Sequence, residues 1–425
     1  MKLHQAVAAA GLAASLALGT TAALAGTDKS AVLETYANIA QAGYEDSLTT
    51  AKALDEAIDA LVAKPSDATL AAAREAWLAA RVPYQQTEVF RFGNAIVDNW
   101  EGKVNAWPLD EGLIDYVDAS YGEESDENVH YVANVIANTS LKAGGKSIDA
   151  SKITKELLAE SLHEVDEVEA NVATGYHAIE FLLWGQDLNG TGPGAGTRPA
   201  SDFDPANCTG GNCERRIAYL KTASELLLDD LTEMAGHWAP GGEAREQLTA
   251  GGADGGLTAM LTGLGSLSYG ELAGERIKLG LMLHDPEEEH DCFSDNTHNS
   301  HYYNAKGMRN VYLGSYKRID GKVVSGPSLS QLVAATAPEA DAEMKASLEA
   351  TMGAMTAMVK RAEGGEAYDQ MIGPDNAAGN KVIQTVVDSL TGQTKSIERV
   401  VAALKLGTIA FEGSDSLDNP EAVFQ

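Results

Sequence analysis

The sequence has little positive charge. Lysine and arginine number 31 against 62 aspartate and glutamate residues, so the formal net charge is −31 with histidine neutral. A nucleic-acid partner is therefore not expected, because binding to phosphates depends on basic residues. The excess of carboxylates suits a soluble protein whose acidic exterior concentrates cations near its surface.

Long apolar runs are also missing, apart from an alanine- and leucine-rich start. Residues 1–25 contain one basic residue, Lys2, and end in Ala23-Leu24-Ala25, a small-x-small site typical of a cleaved signal peptide. Its apolar core is broken by Gly19, Thr20 and Thr21 and is too short to span a bilayer, which takes roughly 20 apolar residues. We therefore expect an exported protein of a periplasm or cell envelope, and not an integral membrane protein.

Cysteine is rare, and several catalytic motifs are absent. Cys208 and Cys213 flank a short Thr-Gly-Gly-Asn loop, where an exported chain permits a disulfide, although the sequence alone does not fix the pairing. Cys292 is then a free thiol, a neighbour of a metal or an ordinary buried cysteine. The chain has no His-Glu-x-x-His, Gly-x-Ser-x-Gly, phosphate-loop or Cys-x-x-Cys-His motif, so the enzyme classes that these motifs mark are not indicated.

Apolar residues recur at helical spacing along most of the chain, which predicts an all-α fold. A glycine- and proline-rich loop at 191–214 divides it, so we expect two packed helical-bundle domains, at 26–190 and 215–425. The predicted helices lie at about 28–63, from Ser66 to about Glu88, and at about 151–184, 215–238, 255–284, 329–362 and 378–406.

One segment sets an imidazole and a carboxylate three residues apart in an apolar run. His177 and Glu180 lie in Gly-Tyr-His-Ala-Ile-Glu-Phe-Leu-Leu-Trp at 175–184. Positions i and i+3 of a helix share one face, so both side chains can reach a common point. A buried carboxylate must be paired, hydrogen-bonded or bound to a metal. A His–Glu hydrogen bond inside the core and a metal site both satisfy this requirement.

Three other segments carry polar residues of interest. Four of the nine histidines lie at 284–301 among several carboxylates, which are the ligands that iron, zinc and manganese sites use; a polar loop that faces water is the alternative. The pair His163 and Asp166 repeats the i, i+3 spacing but is better explained as a solvated face. Glu88 lies on the apolar face of the second predicted helix, where an ion pair with Arg81 or Arg91 is the plain alternative.

These segments together resemble the imelysin family, also described as insulin-cleaving metallopeptidase-like proteins. The resemblance rests on GYHAIEFLLWGQD at 175–187, CTGGNCERR at 208–216 and GERIKLGLMLHDPEEEHDCFSDNTH at 274–298. The last segment is similar to a branch of iron-regulated cell-envelope proteins. The resemblance implies two helical bundles, expression linked to iron supply, and a metal site at His177 and Glu180. It also implies that first-half acids complete the site, for which Glu88, Asp110 and Glu111 are the matching positions.

The sequence therefore predicts a periplasmic or envelope metal-binding protein that acquires or handles iron. The expected ligand is a divalent or ferric ion, with iron favoured and zinc possible as the metal, and an envelope iron-transport component is a further expected partner. A metallopeptidase is the first alternative, in which the metal activates water and a carboxylate moves the proton. A non-catalytic interaction module is the second.

Overall fold

The computed structural model describes residues 28–123, 125–126, 128–143 and 145–424, and over these residues the chain is all-α, as predicted. The predicted signal peptide at 1–25 lies outside the described residues. The α-helices are α1 (Lys29–Ala63), α2 (Asp67–Gln85), α3 (Ala95–Asn105), α4 (Gly175–Trp184), α5 (Cys213–Trp238), α6 (Glu243–Ala250), α7 (Gly252–Ser266), α8 (Gly280–Leu283), α9 (Thr297–Leu313), α10 (Leu329–Thr336), α11 (Pro338–Glu363), α12 (Tyr368–Ile372), α13 (Ala377–Leu404) and α14 (Asp415–Asp418).

Besides these α-helices and several short 3-10 turns, the described residues form two wider π-helical segments and two short hairpins. The π-helical segments are Leu157–Leu162 and Leu267–Leu279, and the second joins α7 to α8. The strands pair antiparallel as β1 (Ser140–Ala143) with β2 (Lys146–Asp149) and β3 (Ser315–Lys317) with β4 (Val323–Ser325). No stretch of alternating polarity had marked these strands, since three or four residues are too few to show a period.

The first two helices form an antiparallel pair that follows local sequence signals. Asp28 caps α1 by accepting from the Ser30 N–H at 3.0 Å. After the break at Lys64 and Pro65, Ser66 opens α2 through a capping box with Thr69, which satisfies N–H groups that have no partner inside the helix. The helix predicted from Ser66 ends earlier than expected, at Gln85.

The predicted helix at 151–184 is wrong in its middle. The π-helical segment ends at Leu162, and Glu164, Asp166 and Glu167 adopt positive φ before α4 begins at Gly175. His163 and Asp166 therefore share no helical face, and Asp166 instead lies 2.9 Å from His130 Nε2. Regular spacing of apolar residues did not reveal this break, because buried positions in loops keep the same composition.

Packing is continuous from the first helices to the last. One hydrophobic cluster runs from Val32 to Val401, with α1 against α2, α5 and α7, and α13 against α11. The helix α5 follows the 191–214 loop, yet it packs on α1 and α4. The division into two domains stays a prediction. Across the part of the chain described, no helix combines the length and apolarity needed to cross a bilayer.

Two of the three cysteines are paired. Cys208 and Cys213 form a disulfide that closes the loop before α5. Cys292 is free and half-buried.

Candidate metal centre

Helix α4 is positioned by its first residue. Gly175 has φ of +78°, and a Cβ there would lie 2.4 Å from the carbonyl oxygen of Val104. Only glycine tolerates both the left-handed backbone and this close approach. All ten residues of α4 are buried, so its polar side chains must find partners within the protein.

His177 and Glu180 lie on one face of α4 and contact each other, as their spacing predicts. The Nδ1 of His177 is 3.0 Å from Oε2 of Glu180. The other oxygen, Oε1, accepts hydrogen bonds from the N–H and hydroxyl of Ser294 at 3.0 and 2.6 Å. Burial lowers the pKa of His177 to about 3, with the Arg81 charge adding to the effect. Burial also raises the pKa of Glu180 well above its ordinary value, and the Asp291 charge adds to this.

Two further candidate ligands come from the histidine-rich segment. One ligand atom each of His177, His290 and Asp291 lies within 4.8 Å of the other two, and all three residues are buried. The His177 and His290 rings meet edge to face with centroids 4.8 Å apart. The Nε2 of His177 has no hydrogen-bond partner. A buried imidazole nitrogen without a partner, beside another imidazole and a carboxylate, suits a metal ion.

Asp291 is held by a dense set of donors. Its Oδ1 accepts from Arg81 at 2.8 Å, and its Oδ2 accepts from Asn296 at 2.8 Å and from the Ser300 hydroxyl. Burial alone would raise the pKa of Asp291, but the Arg81 guanidinium holds it well below its usual range. Asp291 is therefore ionised and fixed in orientation.

Arg81 is a buried cation of the centre, and no local sequence pattern indicated this role. Besides Asp291, its Nη2 lies 3.2 Å from Nδ1 of His290, 209 residues away along the chain. Its Nη1 donates to Oδ1 of Asn105 at 2.7 Å. The guanidinium also lies 5.0 Å from the ring centroid of Tyr176. This contact is favourable for a partly desolvated cation.

The first-half acids contact other groups. Glu88 belongs to a short 3-10 turn beyond α2, and its Oε2 accepts a hydrogen bond from Nη2 of Arg276 at 2.7 Å. The predicted ion pair is thus present, but with a different arginine. Asp110 accepts a hydrogen bond from Asn128. Glu111 is buried, with a pKa raised by burial. None of the three acids belongs to the described group formed by His177, His290 and Asp291.

A cavity of about 470 Å³ adjoins His290. Trp107, Pro108 and Leu279 supply apolar parts of its wall, and Arg91 and Arg276 supply positive charge. Five carboxylates also line it: Glu101, Glu169, Glu271, Glu275 and Glu288. The wall therefore carries a net negative charge next to a candidate ligand.

His301 is a buried histidine that sequence reasoning placed in the 284–301 segment without a specific role. It is fully buried in α9, and neither ring nitrogen has a hydrogen-bond partner of good geometry. Its ring centroid is 6.5 Å from that of His290 and 5.3 Å from that of Tyr368. Burial lowers its pKa to about 3.

Fold and site together define an all-α protein with a buried centre of two neutral imidazoles, an ionised carboxylate and a guanidinium. The chain belongs to the imelysin family, whose model matches residues 40–397 and carries a peptidase label. The family predicted from the three sequence segments is therefore confirmed.

The chain is similar to one protein in sequence and to one solved structure in fold. The chain is 41% identical over 61 residues to iron-regulated protein A of Synechococcus elongatus, a match that covers 14% of this chain and only 17% of that protein. The fold is similar to the crystal structure of a candidate iron-regulated protein A precursor from Parabacteroides distasonis, with a TM-score of 0.63. That alignment covers 88% of this chain and 94% of the other, at 20% identity, so the likeness concerns the fold.

Proposed function

We propose that the protein binds a transition-metal ion, iron in preference to zinc, through His177, His290 and Asp291. The observation that carries the proposal is the closeness of their ligand atoms, within 4.8 Å of one another, together with the unpartnered Nε2 of His177. First-row metals take nitrogen and carboxylate ligands at about 2.0–2.2 Å, so donors this close can share one ion after small movements.

Glu180 has a different role in this proposal from the one that the sequence predicted. Its Oε2 faces Nδ1 of His177, and its Oε1 is held by Ser294. A carboxylate on the second nitrogen of a ligating imidazole fixes the tautomer and orients the ring. Glu180 thus positions His177 so that the Nε2 lone pair points toward the metal, and it is not itself a ligand.

The charges of the centre favour reversible binding. The positive charge of Arg81 offsets that of Asp291, and both histidines are neutral because burial lowers their pKa values. An incoming cation must therefore share Asp291 with a guanidinium, which weakens its attraction. A protein that takes up and passes on a metal needs such a moderate affinity, whereas a structural metal site does not.

The proposal also specifies the metal, iron, and the location, the periplasm or cell envelope. Two similar proteins are described as iron-regulated protein A or its precursor. The sequence at 1–25 reads as an export signal, and the acidic composition raises the local concentration of cations. We propose that the protein acquires or handles iron in the periplasm or cell envelope, in contact with a transport component.

Hydrolysis is less well supported by the geometry. A metallopeptidase needs a carboxylate that can accept a proton from metal-bound water. Both oxygens of Glu180 already contact other groups, and Asp291 is engaged by Arg81, Asn296 and Ser300. Because the family model carries a peptidase name, a cleavage assay on a denatured protein substrate tests this alternative.

Titration of the metal-free chain with Fe2+ and Zn2+ under anaerobic conditions tests the proposal. We expect one site per chain, lost in His177→Ala and in Asp291→Asn. The matched control is His237→Ala, because His237 is a half-buried histidine of α5 that lies outside the centre. The same samples are examined by circular dichroism, so that loss of binding is not confused with loss of the fold.

Two outcomes would overturn the proposal. Equal metal affinity in His177→Ala and the wild type would remove the ligand on which it rests. His177→Ala lowers the melting temperature equally with and without metal if the His–Glu pair is purely structural. That result would favour a non-catalytic interaction module.

A further inference from the structure

Two cavities border the metal centre, and their walls differ in charge. The first, of about 470 Å³, is the one that His290 lines, and we call it the acidic cavity. The second, of about 260 Å³, is lined by Arg81 and by Asn296 and Ser300, which both donate to Asp291. No carboxylate lines this second cavity among the residues that the structure describes. The two walls therefore present opposite conditions to a cation.

One helical segment forms much of the wall of the acidic cavity. The π-helical segment Leu267–Leu279 supplies Glu271, Glu275, Arg276 and Leu279. A π-helix is wider than an α-helix because its hydrogen bonds run from i to i+5, so residues about four to five apart share a face. Such segments are rare in proteins and are frequent at functional sites. The widening here brings Glu271 and Glu275 to the same cavity.

The two arginines of this wall are engaged by other acids. Nη2 of Arg276 donates to Oε2 of Glu88 at 2.7 Å, and its Nε donates to Oε1 of Glu271 at 2.8 Å. Arg91 donates to Asp98 at 2.9 Å and to Glu271 at 3.3 Å. The guanidinium charges are therefore offset locally, and the remaining acids of the wall are not balanced by them.

Three acids of the wall are unpaired. Glu169, Glu275 and Glu288 form no ion pair with any residue in the part of the chain that is described. Glu275 and Glu288 are half-buried, and the backbone at Glu288 packs on the start of α8, where a Cβ on Gly280 would lie 3.2 Å from the Cβ of Glu288. Carboxylates of this kind bind hydrated divalent cations, which keep several of their waters.

His290 connects the acidic cavity with the metal centre. It lines the cavity, is 1% exposed and belongs to the group of candidate ligands. Both hydrogen-bond contacts described for its ring are at Nδ1, which lies 3.2 Å from Arg81 Nη2 and 3.2 Å from Asp291 Oδ1. No described residue bonds to its Nε2. A proton on Nδ1, facing the Asp291 carboxylate, leaves a lone pair on Nε2.

We infer that the acidic cavity is the route by which the metal ion reaches the centre, and that Glu275 and Glu288 hold the hydrated ion before His290 takes it. This inference rests on the proposed metal-binding function. A cleft lined by one sign of charge concentrates ions of the opposite sign and speeds their association by roughly 10- to 1,000-fold. The second cavity lacks such a wall and carries the Arg81 guanidinium, which repels a cation.

The expected effect of the two acids follows from Coulomb's law. A divalent ion about 6 Å from one carboxylate in water is favoured by about tenfold in local concentration, and salt reduces this factor. Replacing both Glu275 and Glu288 by glutamine should therefore slow metal association by at least about tenfold at low ionic strength. The difference from the wild type should shrink as salt is added.

Stopped-flow mixing of the metal-free full chain with Zn2+, and with Fe2+ under anaerobic conditions, measures the association rate. Mixing of the loaded protein with a chelator measures release. In the double variant Glu275→Gln/Glu288→Gln, release should slow as well, because the departing ion passes the same two residues. Its affinity should therefore change less than its association rate. Its melting temperature should match that of the wild type, since neither acid forms an ion pair.

Two controls separate the route from general effects of charge and shape. Glu398→Gln removes the same charge from an exposed position of α13 outside the cavity, and it should bind at the wild-type rate. Ala79 is an exposed wall residue of the second cavity, so Ala79→Trp obstructs that cavity and should also bind at the wild-type rate.

The inference is overturned if the double variant associates within about twofold of the wild-type rate, or if Ala79→Trp slows association. Either result leaves the metal centre in place when His177→Ala still abolishes binding. A wild type that binds no metal would instead overturn the proposed function, and the entry route with it.

Discussion

Replacing Glu180 by glutamine changes one hydrogen bond and leaves the shape of the centre intact. The amide oxygen can still accept from Ser294, as Oε1 does at 2.6 Å in the native protein. The amide nitrogen must then face Nδ1 of His177, 3.0 Å from the position of Oε2. A donor at this place requires Nδ1 to accept, so the ring proton moves to Nε2 and the lone pair offered to the metal is lost.

Glu180→Gln should lower metal affinity, because it removes a carboxylate that orients a ligating histidine. We expect Glu180→Gln to weaken metal affinity by roughly 10–100-fold, or about 1.4–2.7 kcal/mol. The stability of the metal-free protein should change little, because burial raises the pKa of Glu180 and glutamine resembles the neutral acid. Anaerobic calorimetric titration and chemical unfolding measure the two quantities.

The pH dependence adds a second readout. The pKa of His177 is about 3 and that of His290 is lowered by burial, so these rings do not compete with the metal for protons near neutral pH. Metal binding to the wild type requires Glu180 to give up its proton, so affinity should rise with pH over the range in which Glu180 titrates. Glu180→Gln should flatten this rise. Unchanged affinity together with an unchanged pH slope in the variant would refute the reasoning.

Three other substitutions test parts of the same account. Gly175→Ala should destabilise the protein by about 2 kcal/mol or more in urea unfolding, since its Cβ would lie 2.4 Å from the Val104 carbonyl at a φ of +78°; a neutral effect would contradict the placement of α4. Arg81→Met leaves Asp291 buried without its cation and should lower the free energy of unfolding of the metal-free protein by roughly 3–5 kcal/mol. Added Zn2+ should then raise the melting temperature of this variant more than that of the wild type. An equal rise would show that the metal does not contact Asp291. His301→Leu should stabilise the protein by an amount that grows by about 2 kcal/mol from pH 7 to 5, because burial lowers the folded-state pKa of His301 to about 3 and only the unfolded wild type takes up a proton in this range. The same gain at pH 7 and pH 5 would contradict this.

The fold was predictable wherever local signals acted over a long segment. The apolar spacing of α1, α5 and α13, and the start of α2 after Ser66, marked these helices correctly. The break between Leu162 and Gly175 was missed, because tertiary contacts and several left-handed residues, and not composition, interrupt the helix there.

The candidate site was predictable only in part. The i, i+3 spacing brought out His177 and Glu180, and the cluster of histidines marked the segment that contains His290 and Asp291. Arg81 contacts His290 although the two residues are 209 positions apart, and no local sequence pattern indicates such a contact. Expected donors from the first half stay untested as ligands.

X-ray absorption spectroscopy of the zinc-loaded protein tests the central claim most directly. The account predicts a shell with two imidazole nitrogens at about 2.0–2.1 Å and carboxylate oxygen at about 2.0–2.2 Å, and predicts that His177→Ala loses one imidazole. A shell made of oxygen atoms alone, or one that His177→Ala leaves unchanged, would contradict it.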